Sequence, residues 1–195
     1  MPTDTSEKGL ETLIMRHMTG GDGLVVAPNT AAEVRAPYGG TAYIAGSAQD
    51  YDRAHALDLC LFINGLPIAT FELKNSLTKQ TVEDAVEQYR RDRNPRERLF
   101  EFGRCVVHFA VDESEVQMCT ELRGRGSWFL PFNKGYHDGA GNPPNPHGLK
   151  TDYLWKEVLT PAGLTNILEN YAQIIEEKDP RTGRKKRRQV WPRYH

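Results

Sequence analysis

The sequence predicts a mixed α/β domain in which helices flank a central sheet. Three observations support this prediction: a helical pattern near the start, two apolar runs joined by Asn64-Gly65, and a second pair of such runs around residues 112–114. The chain has 195 residues, of which 38% are hydrophobic and 26% are charged. A chain of this size and composition is long enough to fold around one hydrophobic core.

The first helix is predicted near the start of the chain. Ser6 is a good N-cap residue, and the apolar residues after it recur at three- and four-residue spacing until a glycine cluster at 20–23. Between residues 24 and 52 the pattern is weak and predicts only two short strands, at 24–26 and 41–45. The glycine cluster lacks the Gly-Lys-Ser/Thr ending of a phosphate-binding loop, so we predict no ATP site there.

The central hairpin is the clearest predicted element. Apolar, partly β-branched runs at 57–63 and 68–73 flank the segment Asn64-Gly-Leu-Pro67. Asn-Gly between two such runs is the strongest short-range indication of a hairpin.

Helices and strands alternate beyond this hairpin. Thr81 and Asp84 form a capping box that opens a helix. Residues 105–111 and 116–122 predict a second hairpin, and residues 128–132 form a further short apolar segment. Together these elements predict a sheet with helices on its faces.

The C-terminal part is predicted to be helical and then basic. Residues 153–159 and 166–177 have helical periodicity. The chain holds 25 Lys and Arg against 26 Asp and Glu. Seven of the basic residues and none of the acidic ones lie in the last fifteen positions, so the rest of the chain carries a net charge of −8. We therefore divide the chain into a domain at 1–179 and a basic tail at 180–195. The tail is expected to be a solvated linker, with DNA phosphate binding as the alternative.

Several classes of protein are excluded by composition. Three cysteines, at 60, 105 and 119, are too few and too widely spaced for a disulfide framework or a zinc knuckle. We therefore expect the protein to be located in the reducing cytoplasm. No apolar run is long enough to span a bilayer, so we expect no membrane association. His108 is expected in the core, and Trp128, Trp155 and Trp191 are expected to be core or interface aromatics rather than base-stacking platforms.

Charged side chains stand at both ends of the central hairpin. Asp58 lies at its entry, while Glu72 and Lys74 lie at its exit and share one face of their strand because side chains alternate. The register decides whether Asp58 joins them. A three-residue loop, or a bulge with the same effect, pairs position 58 with 72, whereas a two-residue Asn64-Gly65 loop pairs it with 71. We expect the first arrangement.

This pattern indicates a phosphodiester hydrolase that uses a metal ion. Two carboxylates opposite one another repel, and a divalent cation removes that conflict. Mg²⁺ prefers hard oxygen ligands and typically takes one or two carboxylates with waters and a substrate phosphate. Lys74 is suited to orient or deprotonate a metal-bound water and to stabilise charge in the transition state. The alternative is a Glu-x-Lys pair on a solvated strand face.

Several segments resemble one protein family. They are Asn64-Gly-Leu-Pro67, Glu72-Leu-Lys-Asn75, Thr81-Val-Glu-Asp-Ala85, Gln88-Tyr-Arg-Arg-Asp92 and Trp128-Phe-Leu-Pro-Phe-Asn133. They are similar to the N-terminal nuclease domain of the restriction (R) subunit of type I restriction-modification enzymes. The resemblance extends over most of the chain, and the end of the basic tail looks like the start of the segment that leads into the family's ATP-driven motor.

The resemblance implies a fold and a catalytic triad. The fold is a restriction-endonuclease-like, PD-(D/E)xK core with a mixed central sheet flanked by helices. Asp58, Glu72 and Lys74 match the metal-binding and catalytic residues of that core, and Mg²⁺ is the implied cofactor.

Two further site residues are implied by the resemblance. An acid of the first helix often reaches the metal in such nucleases; Glu11 is the better match and Glu7 the second, with ordinary surface acids as the alternative. Gln88 matches the glutamine of a Gln-x-x-x-Tyr element that positions the lysine and substrate. Position 92 is Asp, so the tyrosine's role does not carry over.

The implied function is hydrolysis of DNA phosphodiester bonds within a cytoplasmic complex that includes methyltransferase and specificity subunits. The sequence departs from longer family members, because a stretch between residues 50–53 and Asp58 is missing. Two other hypotheses therefore stay open. One is a catalytically inactive nuclease-like remnant that serves as a docking module, and the other is a module that binds DNA through the tail.

Overall fold

The computed structural model describes residues 7–19 and 57–194 of the chain. The predictions for Ser6, for the glycine cluster, for the two short strands before residue 46 and for the segment at 50–53 lie outside these residues. In the described ranges no helix is long and apolar enough to cross a membrane.

A mixed five-stranded sheet forms the centre of the fold, as the sequence predicts. Its strands lie side by side in chain order: β1 (Leu59–Ile63), β2 (Leu66–Leu73), β3 (Val107–Val111), β4 (Val116–Cys119) and β5 (Leu130–Pro131). β2 and β3 are parallel, and the other neighbours are antiparallel. Both predicted hairpins are therefore confirmed, and the parallel pair is joined by a helical connection, as parallel strands require.

Helix α2 (Val82–Arg91) covers one face of the sheet. Its start carries the predicted capping box, in which the Thr81 N–H donates to the Asp84 carboxylate at 2.8 Å. The carboxylate of Asp112, just after β3, accepts a second bond at 2.8 Å from the Val82 N–H and so ties the helix start to the sheet. The apolar side chains of α2 pack against Ala110, Cys119 and the aromatic rings beside them.

Helix α1 (Glu7–Thr19) covers the opposite face. Its buried residues Leu10, Ile14 and Met18 are spaced four apart, so they line one side of the helix, and they belong to the same cluster as Phe71 and Leu73 of β2. Because side chains alternate along a strand, Glu72 and Lys74 lie on the other face of the sheet, away from α1.

The C-terminal helices differ from the prediction. Residues Leu154–Val158 form a short π-type helical turn, and α3 spans Pro161–Asn170. The helix predicted to continue to residue 177 is wrong there, since Gln173–Lys178 form strand β6, which pairs with β7 (Lys185–Val190). Ile174 and Ile175 are β-branched, which favours a strand. The basic strand that pairs with them, β7, lies further along the chain than the segment 166–177 that was predicted to be helical.

Part of the basic tail, Lys185–Val190, is a strand. Lys185 to Arg188 of β7 are exposed, but Gln189 is buried and its Nε2 donates to the carbonyl oxygen of Cys105 at 2.7 Å. Trp191 then packs into the main core at 3% exposure. The predicted boundary between the domain and the tail, at residue 179, falls between β6 and β7. The role of the tail as a linker stays a prediction.

Candidate active site

A tight turn and a bulge set the register of the central hairpin. Asn64 and Gly65 have φ of 49° and 80°, the left-handed values that a two-residue hairpin turn requires, and Ile63 pairs directly with Leu66. Ile68 is then an extra residue in β2, because Phe62 pairs with Pro67 while Leu61 pairs with Ala69.

The bulge brings two acidic residues onto the same face. After it, Leu59 pairs with Phe71, and one further step in the same register places Asp58 opposite Glu72. This is the bulged arrangement that we expected from the sequence. Without the bulge, the two-residue turn would turn Asp58 to the other face.

Asp58 is bound to the end of β2. Its Oδ2 accepts a hydrogen bond of 2.6 Å from the Leu73 N–H, so the carboxylate takes the place of a backbone partner at this edge of the strand. Burial is the main cause of the raised pKa of Glu72, and the negative charge of Asp58 adds to it.

Glu72 is the most unusual group of the site. It is fully buried, its Oε1 accepts a 2.6 Å bond from Arg93 Nε, and its Oε2 is buried with no hydrogen-bond partner in the described part of the chain. Burial raises the pKa of Glu72 to about 7, although the hydrogen bond and the charge of Arg93 oppose this rise. An ionised carboxylate with an unpartnered buried oxygen calls for a cation or a proton.

Lys74 extends the same strand face. It is 6% exposed, and its backbone N–H donates to the Val111 carbonyl at 2.8 Å, which fixes the end of β2 against β3. Its positive charge favours the ionised form of Glu72 and so lowers the pKa of that group. The structure thus brings Asp58, Glu72 and Lys74 to one end of adjacent strands.

Arg93 is the functional residue that we did not predict. It lies just beyond the end of α2, is 7% exposed and forms a buried ion pair with Glu72. One indication was present in the sequence: Arg93 follows the buried Tyr89 by four positions and so continues the inward-facing side of the helix. A buried arginine at such a position requires an acidic partner.

A polar network supports the strand behind Glu72. Thr70 Oγ1 lies 2.8 Å from the Tyr89 hydroxyl and 2.7 Å from His108 Nδ1, and all three side chains are buried. Burial lowers the pKa of His108 to about 3, so the imidazole is neutral at physiological pH. The prediction that His108 has a hydrogen-bonded core role is confirmed. Because Thr70 and Glu72 are two positions apart on one strand face, the network holds the backbone beside the site.

The two remaining site residues are not brought into the same group by described contacts. Glu11 is half-buried on α1, whose apolar side packs on the face of β2 that carries Phe71. Gln88 is half-buried on α2 beside Tyr89. Their roles in metal binding and in positioning the lysine stay predictions, as does that of Glu7, the first residue of α1.

The metal-binding capacity of the site rests on two carboxylates. Among the side chains that the structure describes, which exclude that of Glu7, no group of three or more His, Cys, Asp or Glu is arranged to hold a metal ion. Mg²⁺, however, commonly binds through only one or two carboxylates and keeps several waters. The unpartnered Glu72 Oε2 and the carboxylate of Asp58, which lies across the hairpin, fit that donor set.

The sequence of this region matches a known family. Residues 47–127 match the family described as type I restriction enzyme R protein N terminus. This part of the chain is similar to the N-terminal region of such R proteins. The matched segment includes both strands of the central hairpin, α2 and Arg93, so the whole group around Glu72 lies within it. No curated protein and no solved structure is significantly similar to the chain.

Proposed function

We propose that the segment matched by this family is the core of a Mg²⁺-dependent endonuclease domain that hydrolyses DNA phosphodiester bonds. The observation that carries the proposal is the buried, unpartnered Oε2 of Glu72, across the hairpin from Asp58 and on the strand that continues to Lys74. The family match supports a restriction-system role, and this geometry gives that role a chemical centre.

The two carboxylates would hold the metal ion. Glu72 would contribute Oε2, while Arg93 keeps Oε1 occupied and thereby fixes the orientation of the carboxylate. Asp58 would contribute a carboxylate oxygen, its Oδ2 being held in place by the Leu73 N–H. A bound Mg²⁺ would supply Lewis acidity and a water molecule of lowered pKa.

Lys74 would act on the scissile phosphate. Its ammonium group is on the Glu72 side of the strand, where it can stabilise negative charge on the phosphate oxygens as the attacking water forms a bond to phosphorus and the leaving oxygen departs. The restrained backbone at Lys74 limits the positions that the ammonium can take. Preorganised positive charge of this kind is the main source of rate enhancement in phosphoryl transfer.

The choice of DNA sequence would lie outside this domain. The body of the chain is acidic, with −8 before the last fifteen positions, so broad binding to duplex DNA is disfavoured. We propose that the methyltransferase and specificity subunits of a restriction complex select the site and deliver the DNA.

A plasmid assay tests the proposal. Supercoiled plasmid is incubated with Mg²⁺ and the wild type, Lys74→Ala, Glu72→Gln or the control Lys150→Ala, which changes an exposed lysine. We expect wild type and Lys150→Ala to cut equally, and both site variants to be slower by about 100-fold or more. Equal cutting by all four proteins would contradict the proposed site.

The buried ion pair favours a second candidate function. Arg93 neutralises Glu72 without any metal, as a purely structural ion pair does, which is compatible with an inactive nuclease-like module that docks a subunit or binds DNA. Absence of cleavage by the wild type, together with retained binding to DNA or to a restriction subunit, would support this second function.

A further inference from the structure

Trp128 is an exposed aromatic residue in the loop that precedes β5. Its exposed fraction is 76%, the highest among the exposed large hydrophobic residues of the described part of the chain. Trp128 is therefore not in the core, and an interface position for it stays a prediction, whereas Trp155 and Trp191 are buried in the core. The residues on either side of Trp128, Ser127 and Phe129, are buried, so the backbone at Trp128 is anchored while its side chain is exposed.

The loop before Trp128 is held by its own hydrogen bonds. The Arg123 N–H donates to Ser127 Oγ at 2.8 Å, and Ser127 N–H and Oγ both donate to the carbonyl of Gly124, at 3.0 and 2.7 Å. Gly124 has a φ of 59°, a conformation that favours glycine. Phe129 then packs against the Tyr89 ring at 5.5 Å. The indole is thus presented on a rigid support, which lowers the entropic cost of binding a partner.

Arginines lie on the two segments that meet at the loop before Trp128, the end of α2 and residues 123–125. Arg90 of α2 donates to the Ser127 carbonyl through Nε and Nη2, at 3.4 and 3.3 Å, so α2 and the loop are in direct contact. We call the following five residues the Arg–Trp surface: Arg90, Arg91, Arg123, Arg125 and Trp128.

The Arg–Trp surface carries net positive charge. Glu87 pairs with Arg90 and Arg91, and Glu121 pairs with Arg123. Four arginines and two glutamates leave a charge of +2 at this place. Within the described residues, Arg125 forms no ion pair and is exposed. Positive charge around a flat aromatic face, on an otherwise acidic body, is the chemistry that binds a nucleic-acid strand with unstacked bases.

The surface is connected to the candidate active site through α2. Arg90 contacts the loop, and Arg93, three positions further along, contacts Glu72. A DNA strand that leaves the site along this side of α2 would meet the arginines and the indole.

We propose that the Arg–Trp surface binds an unpaired segment of DNA, with Trp128 stacked on a base and the arginines on the flanking phosphates. This inference rests on the proposed function, because it takes DNA as the substrate of the neighbouring site. The inference adds to the proposed function that the DNA strand next to the cleaved bond is unpaired while the Arg–Trp surface binds it.

The test measures binding of the full chain in EDTA, where no cleavage occurs. The probes are a labelled oligothymidine of about 20 nucleotides, longer than most single-strand sites, and a duplex of the same length. We expect Trp128→Ala to weaken binding to the single strand about tenfold and to change duplex binding little, while Trp128→Phe retains most of the affinity. The control Tyr171→Ala removes another exposed aromatic side chain and should change neither.

Two further measurements separate stacking from structural effects. Quenching of tryptophan fluorescence by the single strand should be lost in Trp128→Phe, and the melting temperature of Trp128→Ala should equal that of the wild type. Arg125→Ala should reduce the salt dependence of single-strand binding by about 0.7 in the slope of log K against log salt.

Single-strand binding by Trp128→Ala that equals wild type, or no binding by the wild type, would overturn the proposal. Unchanged DNA affinity combined with lost self-association or lost subunit binding would instead identify a protein interface and would also overturn it. Because the assay needs no catalysis, its outcome is independent of whether Lys74→Ala abolishes cleavage. The proposed function and this inference can therefore fail separately.

Discussion

Arg93 Nε and Glu72 Oε1 form a 2.6 Å ion pair in which the arginine side chain is 6% exposed and the glutamate side chain is fully buried. This pair links the end of α2 to the strand that carries the candidate catalytic residues. It satisfies one oxygen of Glu72 and leaves the other without a partner in the described part of the chain.

Removal of the arginine should destabilise the protein strongly. Arg93→Met leaves the Glu72 carboxylate buried without its counter-ion, and we expect the free energy of unfolding at pH 8 to fall by about 3–5 kcal/mol. Urea denaturation measures this change. Arg104→Met is a matched control, because its 3.8 Å pair with Glu101 is half-exposed and its loss should cost about 0.5 kcal/mol or less.

The double variant separates charge from packing. Arg93→Met combined with Glu72→Gln removes both charges, so it should be more stable than Arg93→Met alone. Equal stability of the single and double variants would mean that the pair contributes through packing only.

Glu72 should make stability decrease as pH rises. Its pKa is about 7 in the folded chain and near its ordinary value of 4.5 when unfolded, so between these pH values the folded state binds more protons. The contribution of Glu72 to stability is therefore complete below pH 4.5 and is lost progressively up to about pH 7. The difference in unfolding free energy between wild type and Glu72→Gln, measured by urea denaturation from pH 4 to 8, should change across this window and be constant above it. A difference independent of pH would contradict the raised pKa.

His108 should act in the opposite direction. Its pKa is about 3 in the folded chain against an ordinary 6.5, so the unfolded state binds the extra proton, and stability is lost as pH falls from 6.5 toward 3. Histidine ¹⁵N chemical shifts test this directly. The His108 signals should stay those of a neutral imidazole at pH 5. A His108 that titrates near 6.5 would contradict its burial.

Local patterns predicted the part of the fold that surrounds the site. The Asn64-Gly65 turn, the capping box and the second hairpin are all encoded by residues close together in sequence, and all are present. The bulge at Ile68 was predicted only as one way to bring position 58 opposite 72, because a bulge depends on packing across the sheet.

Interactions between distant segments account for what was missed. Strand β6 was predicted as helix because its partner β7 follows later in the chain and supplies both the ladder and the charges. Arg93 was missed because its acidic partner lies 21 positions earlier in the sequence. For Trp128 the sequence left a core and an interface position open, because a tryptophan beside apolar residues gives no indication of which side the loop presents to solvent.

The central claim is that Asp58 and Glu72 bind one divalent cation together. Titration calorimetry with Mn²⁺ at pH 8 tests it most directly, on the wild type, Asp58→Asn, Glu72→Gln and the exposed control Glu83→Gln. We predict one site in the wild type and in Glu83→Gln, and affinity reduced by about tenfold or more in each of the two site variants. Equal Mn²⁺ affinity in all four proteins would contradict the account.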